Sequence, residues 1–320
     1  MNQQVDVCNG DADGLCAAVQ WRLHEPGPAT LVTGLKRDIQ LLARVQAQAG
    51  DQVNVFDIAM QRNQVALRRL LDAGVRVRYA DHHATGDIPD HPLLSAHIDL
   101  ASGTCTSLIV DQLLCGAHRA WALVGAYGDN LRAVADELAR QSGIATAPCA
   151  ALRQLGEAIN YNAYGEALAD VCIAPARLFG LMLRHADPLD FIAQEPIAAE
   201  MVAWREADLH RARGLVPHCT SAHGAVYLLP DEAWCRRVSG TWANELANAH
   251  PQRAHAVLTC QANGGYMVSV RAPLAQPCGA SALCQAFGGN GRSRAAGIDA
   301  LSDQDLPRFI EVFMNQRWGS

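Results

Sequence analysis

Short apolar runs, each closing on small and acidic residues, set the rhythm of about the first 130 residues. Val5-Asp6-Val7-Cys8, Thr30-Leu31-Val32-Thr33, Val53-Asn54-Val55-Phe56 and Val75-Arg76-Val77-Arg78-Tyr79 have the length and alternation of buried strands. Helical patterns lie between them. One covers 15–21 and ends near Pro26. A second starts at Ile39, with Asp38 as its candidate N-cap and Gly50 as its stop. A third covers 65–71 and is closed by Gly74. Repeated βα units of this length favour a parallel sheet with right-handed crossovers. From Ser102 to about Leu183 the chain reads as mainly helical. Residues from about 184 to 222 then read as a connector, in which Pro188 and Pro196 flank an acidic-apolar stretch and 201–213 reads as one charged helix. A second α/β pattern follows, with strands at 225–229, 254–259 and 266–270, and helices around 241–248 and 281–287. A glycine-rich loop, Gly288-Gly289-Asn290-Gly291, comes after the last of these helices.

The chemistry sits where the first strands stop. The first runs into Asn9-Gly10-Asp11-Ala12-Asp13-Gly14, the third into Asp57, and the fourth into Asp81-His82-His83. Open α/β sheets carry their ligands at the carboxyl ends of their strands. A lone Asp after a strand is ordinarily a helix cap or turn residue, and a His pair is ordinarily structural. Their joint occurrence at successive strand ends is what the ordinary explanation does not produce. Three strands delivering Asp, Asp, Asp and His to one edge point to a hard-cation site. Carboxylates with one imidazole suit Mn²⁺ or Mg²⁺, and the lack of a thiolate partner argues against zinc. Asp11 and Asp13, two apart after a strand, can reach different ions, with Gly14 allowing the tight turn. Two ions about 3.5–4 Å apart clamp a phosphoryl oxygen and generate hydroxide at neutral pH. The reaction class is hydrolysis of a phosphoester or phosphoanhydride.

Composition narrows the partners. Half of the 320 residues are hydrophobic and 18% are charged, a balance of soluble globular proteins in which this length suggests two domains. Formal net charge is −6, which favours a short or small anionic substrate over long nucleic acid. The 11 cysteines form no C-x-x-C pair and read as reduced thiols. No apolar run is long enough to span a bilayer and the N-terminus lacks a signal-peptide pattern, so a cytoplasmic location is expected.

With these residues in view, the chain resembles the DHH phosphoesterases. The set Asn9-Gly10-Asp11-Ala12-Asp13-Gly14, Phe56-Asp57, Asp81-His82-His83 and Tyr127-Gly128-Asp129-Asn130 resembles the family's four motifs, in order. The stretch from Gly288 to Gly297 is similar to the glycine-rich signature of the DHH-associated C-terminal domain. The resemblance implies an α/β fold in which an N-terminal parallel-sheet DHH domain (1–187) and a helical connector (188–222) precede a smaller substrate-binding α/β domain (223–320), with the active site in the cleft between the domains. It implies two Mn²⁺ ions, with Mg²⁺ as the other candidate. Asp57 is expected to bridge the ions, with Asp11 joining it at one and Asp13, His82 and Asp129 completing the other. His83 is expected to face the substrate phosphate, with Asp81 positioning the neighbouring imidazole. Asn9 stands where such proteins commonly carry His, and an amide oxygen is the weaker ligand. Arg292 stands where the glycine-rich signature usually carries His, and is a competent phosphate fork.

For the substrate, the stretch Gly289-Asn290-Gly291 reads as a backbone nest for an anion, flanked by Arg292 and Arg294. Arg271, ending a strand, lies where members of the family hold a phosphate. Lys36 and Arg37 follow the second strand and so share the carboxylates' sheet edge. A basic pair at a helix start opposes the helix dipole, which suggests a tie to phosphate. Asn160-Tyr161-Asn162-Ala163-Tyr164-Gly165 reads as a buried tyrosine corner, with base stacking as the other option. The leading expectation is a Mn²⁺-dependent phosphoesterase acting on short oligonucleotides or small nucleotides. The alternatives are an inorganic pyrophosphatase or polyphosphatase, and a nucleotide-binding sensor with reduced turnover. The oligomeric state, monomer or homodimer, is open at this stage.

Overall fold

The computed structural model describes residues 2–261 and 264–319. They form two compact units, Met1–Trp204 and Arg205–Ser320. In the first, β1 (Gln4–Cys8), α1 (Ala12–His24), β2 (Thr30–Thr33), β3 (Gln52–Phe56), α2 (Met60–Asp72), β4 (Arg76–Asp81) and β5 (Leu94–Ile98) build a parallel sheet in the order β2-β1-β3-β4-β5. The helices α3 (Thr106–Leu113), α4 (Arg119–Gly128), α5 (Arg132–Gln141), α6 (Thr146–Asn162), α7 (Pro175–Met182) and α8 (Pro188–Gln194) follow. The division between the units falls within α9 (Pro196–Arg213).

Each face of this sheet has its own apolar core. Cys8, Phe56 and Ala80 pack with α1, α3, α4 and α6 on one side. Val5, Val7, Val53, Val55, Val77 and Tyr79 pack with α2 and the turn Leu41–Arg44 on the other. The alternation along each strand assigns residues to the two faces. Buried Asp6 on β1 is held bidentately by Arg22 of α1, at 2.7 and 2.9 Å, and accepts from Asn54 Nδ2 at 2.9 Å, which ties helix and strands together. Between β1 and β3 the chain switches direction across the sheet, the place where open α/β sheets form a crevice.

Two expectations for this unit change. The helix from Ile39 to Gly50 is absent, replaced by a single 3₁₀ turn at Leu41–Arg44. Asp38 does not cap it, because its Oδ2 accepts from the preceding Leu35 N–H at 2.8 Å. Leu41, Leu42 and Val45 are buried against the sheet, so tertiary packing decides this segment.

The second unit holds β6 (Cys219–Thr220), β7 (Gly224–Leu229), α10 (Ala233–Ala249), β8 (Ala254–Cys260), β9 (Tyr266–Arg271), α11 (Ala280–Gln285), β10 (Asn290–Arg292), β11 (Ala295–Leu301) and α12 (Leu306–Asn315). Its sheet order is β10-β11-β9-β8-β7-β6, parallel only between β7 and β8. The core on one face draws on α11 and α12, that on the other on α10. The glycine-rich stretch is a loop only as far as Gly289. Asn290–Arg292 pair antiparallel with Ala295–Gly297 in a tight hairpin turning at Ser293-Arg294. A Cβ at Gly289 or Gly291 would collide with the backbone of Gly297 or Ala296, so the glycines let the hairpin pack closely. No helix among the described residues is long and apolar enough to cross a membrane, and all 11 cysteines are free thiols.

His255 on β8 is fully buried, and its pKa is pressed down to about 4 by burial, then by Arg253 and His250. Unfolded, it takes up a proton near its ordinary pKa of about 6.5. Between those values the unfolded chain binds more protons, so stability falls as pH drops from about 6.5 towards 4, by roughly 3 kcal/mol at most. Replacing His255 with Leu is expected to flatten the loss of stability between pH 6.5 and 5, measured by denaturant unfolding at each pH. An unchanged slope would count against this assignment.

Candidate metal centre

The loops after β1, β3 and β4 continue the sheet's hydrogen bonding past the strand ends. Asn9 N–H donates to Phe56 O at 3.3 Å and Asp57 N–H to Ala80 O at 3.1 Å. These bonds keep the three loops in register, so Asp11, Asp13, Asp57, Asp81 and His82 are buried beside one another. Gly10 is required here, because a Cβ would strike the carbonyl oxygen of Gly34 and the ring of Pro175. Asp57 adopts a left-handed backbone, φ 58°, which Asp tolerates better than most residues.

Each carboxylate is handled differently. Asp13 accepts the backbone N–H groups of Thr106 and Ser107 at 2.8 and 2.7 Å, one on each oxygen, and so holds the N-terminus of α3. Asp11 caps α1, accepting from Gly14 N–H at 3.0 Å. Its second oxygen takes the Lys36 ammonium. Burial alone would raise the Asp11 pKa, but Lys36 and the cap bring it below the ordinary carboxylate range. Asp81 Oδ1 accepts from His83 Nδ1 at 2.8 Å, while its buried Oδ2 has no hydrogen-bond partner. Asp57 has the weakest support, a Thr106 hydroxyl at 3.4 Å. Burial first, then Asp11 and Asp13, push its pKa well above the ordinary value.

The histidines divide the work. His82 Nδ1 lies 3.0 Å from the Thr104 carbonyl, which can only accept, so this nitrogen carries the proton. Its Nε2 lies 3.3 Å from Asp57 Oδ1 and 3.7 Å from Asp13 Oδ2, and in the neutral ring this nitrogen is the one that can ligate a cation. With the ring neutral and the carboxylates ionised, three acceptors would face one another in a buried space, an arrangement that a shared cation would satisfy. His83 stacks edge-on against His82, ring centres 4.5 Å apart. Ligand atoms of Asp57, His82 and His83 lie within 4.8 Å of one another. His83 Nδ1, however, donates to Asp81, so Asp13 is the better third ligand. Burial would lower the His83 pKa, but Asp81 and Asp57 raise it overall.

The fit to a hard divalent ion is therefore good for Asp13, Asp57 and His82. It is poor for a second ion at Asp11. Asn9, expected as a ligand, spends its amide on the backbone: Oδ1 accepts from Asp11 N–H at 3.1 Å and Nδ2 donates to Lys36 O at 3.4 Å. Asp129 caps the C-terminus of α4 and acts electrostatically on Asp11 and Lys36. Lys36, expected to meet substrate, turns inward to Asp11 and Asn160, while Arg37 lies 3.7 Å from Glu166. The carbonyl of Thr104 and the amides of Thr106 and Ser107 orient the centre but carry no side-chain signature. In the second unit Arg271 Nε donates to Asn244 Oδ1 at 2.6 Å, and its strand pairs with Ala295 beside the hairpin that bears Arg292 and Arg294. Of the expected nest, Asn290 and Gly291 lie on β10 and Gly289 directly precedes it.

No protein-family model and no curated protein matches the chain. Solved structures do. An exonuclease RecJ bound to manganese aligns at 20% identity over 97% of this chain and 89% of its own, with a TM-score of 0.61. The DHH domain of a protein described as a member of a ribosomal-protein family aligns at 14% identity over 98% of this chain and 86% of its own, TM-score 0.69. PggH of Vibrio cholerae, a pGpG-specific phosphodiesterase, aligns at 13% identity over 98% of both chains, TM-score 0.51. The chain has the fold of these DHH proteins.

Asp57→Asn should stabilise the metal-free protein, because it removes a poorly supported buried charge and keeps a side chain that accepts a left-handed backbone. Asp13→Asn should destabilise it by about 1–3 kcal/mol, because an amide NH₂ would oppose the N–H groups of α3. Denaturant unfolding in the presence of a chelator checks both signs. Equal destabilisation by the two changes would contradict this division of roles.

Proposed function

We propose that this DHH-fold chain is a metal-dependent phosphoesterase, hydrolysing phosphodiester or phosphomonoester bonds of short oligonucleotides or small nucleotides. The observation that carries the reading is the placement of His82 Nε2 3.3 Å from Asp57 Oδ1 and 3.7 Å from Asp13 Oδ2, with the other ring nitrogen committed to Thr104. Such a donor set suits Mn²⁺, with Mg²⁺ as the alternative. The activities named for the RecJ exonuclease and the PggH phosphodiesterase support the reaction class. The net charge of −6 favours a small anionic substrate over long nucleic acid.

Asp13, Asp57 and His82 would hold the ion, which supplies Lewis-acid charge for a phosphoryl oxygen. The protein's own groups do the rest. Asp13, pinned to the N-terminus of α3, and His82, pinned to Thr104, keep the donors in place before substrate arrives. Asp81 fixes the His83 ring through Nδ1, which leaves Nε2 of this half-exposed side chain for a substrate oxygen. His83 thereby orients the phosphate and can pass a proton to or from an oxygen of the scissile bond. Within the second unit, taken by itself, Arg271, Arg292 and Arg294 are assigned to an anionic group.

Metal-stripped protein resupplied with Mn²⁺ should release nucleotide or phosphate from at least one of short RNA, short DNA, a dinucleotide and a nucleotide bisphosphate. Asp57→Asn should abolish turnover while the protein stays folded. Asp81→Asn should lower kcat by about 10–100-fold, the usual effect of losing a positioning carboxylate. Turnover of pyrophosphate alone would move the assignment to phosphoanhydrides. Full activity of Asp57→Asn would end the metal assignment.

A further inference from the structure

The Lys36 ammonium stands at a built position. It contacts Asp11 Oδ2, lies 3.3 Å from Asn160 Oδ1, and sits 5.4 Å from the centre of the Tyr164 ring. The backbone is fixed as well, since Lys36 N–H donates to Ala163 O at 3.1 Å and Lys36 O accepts from Asn9 Nδ2. A carboxylate, an amide oxygen and an aromatic face are the groups that hold a cation. They hold this one beside the carboxylate where a first metal ion was expected. Asp11 has one oxygen on the cap of α1 and the other on Lys36, and Asn9 has turned its amide to the backbone.

Taking the metal-dependent reading as its basis, we propose that Lys36 replaces the first of the two metal ions. The centre then takes a single divalent ion, on Asp13, Asp57 and His82, and Lys36 supplies the other positive charge. Lysine delivers that charge covalently from the end of β2, so it needs no metal of its own. A substrate phosphate is met by the ion on the β3–β4 side of the crevice and by the third ammonium hydrogen on the β2 side.

Counting bound Mn²⁺ tests this without reference to turnover. Equilibrium dialysis of the wild-type chain should give one ion per chain, with the electron-paramagnetic-resonance spectrum of an isolated Mn²⁺. Lys36→Met, which keeps the stem and removes the charge, should free Asp11 and admit a second ion, giving the spectrum of a coupled pair. Lys36→Arg should remain at one ion. Two coupled ions in the wild-type protein would overturn the proposal and leave the phosphoesterase reading intact. A single ion in a folded Lys36→Met would overturn it too, because Lys36 would then not be what excludes the second. No bound ion in the wild type would remove the metal-dependent reading itself.

Discussion

The first unit is governed by one electrostatic constraint: Asp11, Asp13, Asp57 and Asp81 are all buried at one edge of a parallel sheet. Buried like charges destabilise a fold unless each finds a partner. Three of them have permanent partners. Asp13 has the amides of α3, Asp11 has the cap of α1 and Lys36, and Asp81 has His83. Asp57 accepts only from a distant hydroxyl, and burial drives its pKa upward. The sheet therefore concentrates its unsolved charge at the strand between the other two donors. A cation bound there, as proposed, would offset the cost that burial creates at this carboxylate.

The partners of these carboxylates explain what could be read in advance. The strands were legible because every second residue of β1, β3 and β4 is apolar and buried, as with Val5 and Val7, Val53 and Val55, and Val77 and Tyr79. Asp57 and Asp81-His82-His83 were legible for the same reason, as polar residues directly after such runs. The roles of Thr104, Thr106 and Ser107 were not, since they act through backbone groups that any residue supplies. Nor was the inward turn of Lys36 visible, because Asn160 and Tyr164 lie far along the chain and meet it only through the packing of α6.

The second unit shows the opposite difficulty. β10 is three residues long and largely exposed, and β11 opens on the small residues Ala295-Ala296-Gly297, so the pair carries little of the period-2 signal that marks a strand. Glycine that would ordinarily mean a loop here permits close backbone contact, at Gly289 against Gly297 and Gly291 against Ala296. α12 has a strongly two-sided pattern, with Phe309 and Phe313 buried four residues apart, yet it follows an irregular stretch that obscured it. Arg271 was placed correctly at the end of β9, but its guanidinium is oriented by Asn244 and by the Gly240 carbonyl, contacts from α10 that local sequence does not announce.

The topology gives the replacement of an ion by Lys36 its meaning. β1 lies between β2 and β3, and the chain leaves it towards β2 before returning on the other side. Groups after β2 and groups after β3 and β4 therefore approach the end of β1 from opposite directions. Asp11 faces the β2 side through Lys36, whereas Asp13 faces the β3–β4 side through His82. Two adjacent carboxylates on one loop are thus separated in function by the strand order, not by their spacing of two residues. An ammonium suits the β2 side because its stem reaches from a loop already bonded to α6, and its hydrogens can be shared between a carboxylate, an amide and a ligand. A divalent ion suits the other side, where Asp13 and His82 are held by backbone groups and His82 Nε2 faces two carboxylates. On the proposed reading the two cations are therefore matched to different donor sets, the ammonium to Asp11 and Asn160 and the divalent ion to Asp13, Asp57 and His82.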